Sequence, residues 1–164
     1  MQGVDDEYGT LEQAESIARS APRAQVLALA GCRHSPHRDQ PEAVLRAADL
    51  LKPSKAAGAE LVPEARGDAL ALARGLRARF GAGAVVVTDG GQGCAIVAEG
   101  FEGRVPSLAV KTVDTTGAGD AFLGGLLAGL HHGLAWQEAG RLGNACGAAC
   151  VERLGAFPEE PLRA

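Results

Sequence analysis

DTTGAGD, residues Asp114–Asp120, runs directly into AFLGGLLAGLHHG, residues Ala121–Gly133, which has the spacing of a buried helix. A Gly-Ala-Gly turn feeding a helix start leaves several backbone N–H groups without intrahelical partners, and the helix dipole adds partial positive charge at the same place. Gly117, Ala118 and Gly119 carry almost no side chain, so a bulky anion can approach their main chain closely. Asp120 follows at the helix start as the nearby side chain able to take a proton. Capping alone explains an aspartate there, but not two glycines and an alanine before it. An anion hole beside a carboxylate is the chemistry of phosphoryl transfer.

Working upstream, AVVVT (Ala84–Thr88) is a β-branched run that ends in DGGQG (Asp89–Gly93) and is followed by CAIVA (Cys94–Ala98). That is the pattern of two strands joined by a tight glycine turn. Periodicity further predicts helices over Leu11–Ser20, Glu42–Ala48 and Asp68–Phe80, strands over Gln25–Leu29, Asp49–Leu51 and Ser107–Val110, and two helices closing the chain. Strands separated by helical segments imply βαβ crossovers, a mostly parallel sheet and helices on its faces. The turn at Asp89–Gly93 adds an antiparallel hairpin. In the last helix, WQEAGRLGNACGAACVERLGA (Trp136–Ala156), the residues Ala139, Leu142, Cys146, Ala149 and Cys150 can share a face of small apolar groups.

DTTGAGDAFLGGLL resembles, at every position, the C-terminal motif of the ribokinase-like (PfkB) sugar and nucleoside kinases. The resemblance implies that Asp120 is the base that deprotonates the acceptor hydroxyl and that Gly117, Ala118 and Gly119 hold the transferring phosphoryl group. Thr88, Gly90 and Gly93 stand where the family has a Thr-x-Gly-x-x-Gly segment along the nucleotide, and Asn144 where the family often has an Asn beside the adenine pocket. Asp114 and Thr116 resemble its monovalent cation site, for K⁺. ATP and Mg²⁺ are the implied cofactors. The fold implied is a three-layer α/β/α sandwich, here as one domain over residues 1–164, the C-terminal nucleotide-binding half.

The resemblance covers Ala24 to Phe157 and departs from the family in three places. Family members usually are much longer, and the half that carries the sugar-recognising side chains and a β lid has no counterpart, so the sheet is expected to end in an exposed edge open to a second copy or a complementing chain. In KPSKAAGAEL (Lys52–Leu61), Ser54 and Ala57 replace the Asn and Glu of an Asn-x-x-Glu segment that helps organise magnesium; Glu60 lies three residues further on. In AGCRHSPHRDQ (Ala30–Gln40), Arg33 and Arg38 are candidate phosphate contacts or members of a solvated loop. Two functions follow: an ATP-dependent kinase acting on a carbohydrate hydroxyl, and a non-catalytic nucleotide-binding remnant without an acceptor site.

Composition narrows the classes further. With 46% apolar residues, 164 residues suffice for a core. Sixteen basic against twenty acidic residues, a net charge of −4, and one Trp and one Tyr argue against a nucleic-acid surface. The apolar run Ala121–Leu130 is broken by three glycines and too short to span a membrane. The acidic start, MQGVDDEYGTLEQAES, has no hydrophobic core of a secretion signal, so a cytoplasmic protein is expected. Cys32, Cys94, Cys146 and Cys150 are scattered and read as reduced core residues, and Cys32, His34 and His37 as a polar loop more readily than a metal site. His131 and His132 fall at the end of the motif helix, which Gly133 can terminate.

Overall fold

The computed structural model describes residues 1–21 and 23–156, so the far end of the family resemblance, Phe157, lies outside the described residues. The chain divides into two compact units, Met1–Ala48 and Asp49–Ala164.

In the first unit, β1 (Gln2–Gly3) pairs in parallel with β2 (Ala28–Leu29). The expected strand Gln25–Leu29 shrinks to its last two residues because its partner is only that long. Helix α1 (Leu11–Ser20) begins with a capping box: the Thr10 hydroxyl accepts from the Gln13 N–H, and the Gln13 side chain accepts from the Thr10 N–H. Two short helices follow, α2 (Pro36–Asp39) and α3 (Pro41–Arg46), each with proline near its start, where no N–H is needed. The carboxylate of Asp6 accepts from the backbone N–H groups of Tyr8 and Gly9 and lies 3.2 Å from Nδ1 of His34. These bonds hold its pKa down at about 2.

The second unit holds the motifs. Its sheet runs β3 (Leu50–Leu51), β4 (Ala84–Thr88), β5 (Cys94–Ala98), β6 (Phe101–Val105), in that order. Between β3 and β4 come α4 (Lys55–Leu61) and α5 (Ala69–Phe80); after β6 come α6 (Ala118–His131) and α7 (Trp136–Val151). Asp68 caps α5 by accepting from the Leu70 and Ala71 N–H groups, and Gly81, at φ +75°, ends it in the left-handed conformation that suits glycine.

The mixed α/β sheet corrects two expectations. No strand forms at Ser107–Val110; β6 is instead Phe101–Val105, which reverses direct from β5 through the Glu99–Gly100 turn and stops at Pro106, which has no N–H to pair. As a result the sheet is not mostly parallel: β3–β4 is parallel, while β4–β5 and β5–β6 are antiparallel. Strand β3 lies at one edge, only two residues long and followed by Lys52 and Pro53, which is how natural sheets blunt an edge.

Alternation along β4 and β5 sorts the core into two faces. Ala84, Val86, Cys94 and Ile96 join Val105, Phe122, Leu126 and Ala139 in one buried cluster beneath α6 and α7. Val85, Val87, Ala95 and Val97 point to the opposite face, where α5 packs on β4 and β5. Helices on both faces make the second unit three layers deep. Each fully buried Val, Ile or Leu here contributes roughly 1.5–3 kcal/mol.

The face that α7 buries also differs from expectation. Leu142 is 38% exposed and Ala149 is exposed, whereas Ala139, Gly140, Gly143, Asn144 and Ala148 face inward. Glycine makes this contact: a Cβ at Gly143 would sit 2.9 Å from the Phe122 carbonyl oxygen, and one at Gly125 of α6 would sit 2.7 Å from Cys146 Sγ. Reading apolar side chains places the face about one residue off, because the atoms that matter are missing ones. All four cysteines are free, Cys32 and Cys94 buried, and burial pushes the Cys94 thiol up to about 12. His131 and His132 are exposed, their rings edge to face at 5.5 Å, and Gly133 at φ +79° closes α6.

Candidate functional site

A cavity of about 320 Å³ opens within the second unit. Four segments wall it: the turn after β4 with Thr88, Gly90 and Gly93, the irregular run Ser107–Val110, the start of α6 with Ala118 and Gly119, and the α7 face carrying Asn144 and Ala148. The residues expected to lie along a nucleotide and two of the three expected to hold a phosphoryl group therefore converge on one space, although twenty residues separate the two motifs.

The turn after β4 is built by its glycines. Gly90 has φ +53° and Gly93 φ +91°, and the Asp89 N–H donates to the Gly93 carbonyl at 2.8 Å to close the loop. Lys55, the first residue of α4, pairs with Asp89 at 2.8 Å and ties the turn to that helix.

At the motif loop, Gly117 is the N-cap of α6 with φ +78°, and a Cβ there would meet the Ala156 Cβ at 2.6 Å. The Ala118 N–H donates to the Thr115 carbonyl at 3.2 Å, and the Asp120 and Ala121 N–H groups donate to Gly117. The N–H groups of Gly117 and Gly119 make no hydrogen bond among the described residues. Two of the three expected donors are thus available to an anion, and Ala118 is engaged. Asp120, third residue of α6, is exposed, and its carboxylate makes no hydrogen bond among the described residues.

Asp114 organises this loop. One carboxylate oxygen accepts from the Thr116 N–H at 2.9 Å and the Thr116 hydroxyl at 2.8 Å; the other accepts from the Gly155 N–H at 2.9 Å. Those bonds, the Thr116 N–H first, hold its pKa below the usual carboxylate range. The Cys150 thiol donates to the Thr116 carbonyl at 3.4 Å.

Sequence reading missed Lys52. Its Nζ donates to the Gly119 carbonyl at 3.1 Å, which sets an ammonium against the first turn of α6. The available signal in KPSKAAGAEL is a lysine directly after the short strand β3. Ser54, in place of the Asn, caps α4 by accepting from the Ala57 N–H at 3.2 Å, and Glu60 is exposed on that helix. Arg33 and Arg38 belong to the first unit, where both are exposed. Among the described residues no three His, Cys, Asp or Glu side chains form a metal-binding group; His34, of the Cys32–His37 segment, turns to Asp6.

Residues 6–162 match the model of the pfkB family carbohydrate kinases. The chain belongs to this family. Within the PfkB family it is 45% identical over 84 residues to a fructokinase-2 of Oryza sativa subsp. japonica, a match covering 47% of this chain and 25% of that one. It is 51% identical over 71 residues to an inositol 3-kinase of Arabidopsis thaliana, over 43% of this chain and 20% of that one. Among solved structures, a fructokinase from Vibrio cholerae O395 in its fructose-, ADP- and calcium-bound form superposes with a TM-score of 0.64 at 27% identity, over 89% of this chain and 52% of that one. The PfkB chain thus matches a fifth to a quarter of the length of these curated relatives and about half of the structural one. Among the described residues, no helix is long and apolar enough to cross a membrane.

Proposed function

We propose that this chain binds ATP and transfers its γ-phosphoryl group to a carbohydrate hydroxyl. The observation that carries the reading is the convergence of the Thr88–Gly93 turn and the α6 start on one cavity; Lys52 lies against the first turn of that helix. ATP would lie with its base and ribose between that turn and the Ser107–Val110 wall, and with its phosphates toward Gly117 and Gly119.

Asp120 would take the acceptor's proton as its oxygen attacks the γ-phosphorus in line with the departing ADP oxygen. Charge on the transferring group would be met by the Gly117 and Gly119 N–H groups and by the Lys52 ammonium. The described residues form no metal-binding group of their own, and Mg²⁺ keeps several waters and relies on phosphate oxygens, so it would arrive as MgATP. When bound it would offset phosphate charge. Asp114 and Thr116 are the monovalent-cation residues of this reading, K⁺ being the ion expected. The fructokinase and inositol 3-kinase relatives support a carbohydrate or related polyol as the acceptor class of this reading. A second copy or a complementing chain remains the proposed partner, with the short, blunted β3 edge offering it little backbone to pair with.

One observation favours the second reading, a nucleotide-binding module without turnover: Ala57 supplies no carboxylate where the family's magnesium-organising Glu is expected. Isothermal titration with MgATP, beside a Gly119→Glu variant that puts a like charge at the phosphates, tests the site. Saturable binding lost in the variant is expected; no binding by the folded chain would overturn both readings. Release of ADP with a sugar acceptor then separates kinase from module.

A further inference from the structure

Among the described residues Asn144 is the buried polar side chain of the core, at 5% exposure. It lies on the inward face of α7, and its Nδ2 group donates to the Val105 carbonyl at 2.9 Å and the Pro106 carbonyl at 3.1 Å. Val105 ends β6, and the residues directly after Pro106, Ser107 to Val110, form a cavity wall. That wall has no strand partner and no backbone hydrogen bond among the described residues. On its N-terminal side its attachment to the core runs through the Val105–Pro106 carbonyls; beyond its other end the Val113 N–H donates to the Val151 carbonyl at 2.7 Å.

The same junction is gripped from another side. A Cβ at Gly93 would lie 2.1 Å from the Val105 carbonyl oxygen and 2.6 Å from the Ser107 nitrogen, so the turn after β4 packs against the peptide groups that Asn144 holds. Both amide hydrogens of Asn144 are occupied by main chain, although its side chain borders the cavity. A nucleotide contact through either hydrogen would have to break one of these main-chain bonds.

We propose that Asn144 is a positioning residue: it fixes the Ser107–Val110 wall against the Thr88–Gly93 turn and acts on a nucleotide through that wall instead of touching it. The inference rests on the ATP-site reading, and the experiment separates the two. Asn144→Leu keeps the volume and removes both donors; Asn144→Ser is smaller and keeps one hydroxyl donor. MgATP and inorganic tripolyphosphate are titrated against each chain, and backbone ¹⁵N relaxation is recorded without ligand. The expected result is MgATP affinity weakened about tenfold by Asn144→Leu and less by Asn144→Ser, with tripolyphosphate affinity unchanged because the α6 turn is untouched. In the free chain, order parameters at Ser107–Val110 should fall from about 0.85 toward 0.6 while β4 and β5 hold theirs. Parallel loss of both ligands, or relaxation at the wall unaltered in either variant, would overturn the proposal. If the unaltered chain bound neither ligand, the ATP reading would fail, and relaxation would still decide the role of Asn144.

Discussion

The ammonium of Lys52 lies 3.1 Å from the carbonyl oxygen of Gly119, joining the end of β3 to the first turn of α6 across 67 residues of sequence. A cation held there by a main-chain acceptor sits against the helix turn whose Gly117 and Gly119 N–H groups an anion can use. Lys52→Ala should weaken MgATP binding about tenfold, roughly 1.4 kcal/mol, while changing thermal stability little, because the side chain is only half-buried. Lys52→Arg should recover part of the loss. Titration calorimetry on the three chains checks this; equal affinities would remove Lys52 from the site.

Asp120 has no hydrogen-bond partner among the described residues and no buried neighbourhood to support, so its replacement has little structural cost. In any assembly that turns over, Asp120→Asn should lower kcat by roughly two to four orders of magnitude while MgATP affinity stays near that of the parent. A coupled ADP-release assay beside titration calorimetry checks it. Near-normal turnover would disqualify Asp120 as the base.

Glycines along α6 are not equivalent. A Cβ at Gly125 would meet Cys146 Sγ at 2.7 Å and the Leu142 carbonyl at 2.9 Å, whereas one at Gly124 meets nothing within 4 Å. Gly125→Ala should therefore cost about 1–3 kcal/mol by forcing α6 and α7 apart. Gly124→Ala should gain up to about 1 kcal/mol through helix propensity. Urea unfolding followed at Trp136, the single tryptophan of the chain, gives both signs in one experiment.

The Asp114 carboxyl is held below its usual range by the N–H groups it binds in the folded chain. A depressed pKa stabilises the fold above the unfolded value, and that contribution is lost as pH falls through the folded value. Stability of the second unit should thus decline below about pH 4, the ordinary aspartate range. Asp114→Asn should be less stable than the parent at pH 7 and should converge on it in acid. Because Asp68 is lowered in the same unit, the difference between the parent and Asp114→Asn curves, followed at Trp136, isolates the Asp114 contribution. Parallel curves at all pH values would show that the Asp114 charge adds nothing.

Where local chemistry decides structure, the chain is legible. Strands Ala84–Thr88 and Cys94–Ala98, the glycine turn between them and the helix Leu11–Ser20 stand where periodicity and caps put them. Ser107–Val110 failed because a short apolar run does not say whether a partner strand exists beside it; the Glu99–Gly100 turn had already given that place to Phe101–Val105. The α7 face was misread because hydrophobicity scores the side chains present, and this contact depends on their absence at Gly140 and Gly143.

By itself the sequence determined that an amide-rich turn feeds an apolar helix at Gly117 and that a hairpin turn follows Thr88, since backbone freedom and hydrogen-bonding capacity within a few residues set both. Only the tertiary structure decided that these two turns face one cavity, that Lys52 reaches Gly119, and that both hydrogens of Asn144 go to Val105 and Pro106. Those relationships join residues tens of positions apart, and they arise from helices seated on a sheet by close packing, which no local pattern encodes.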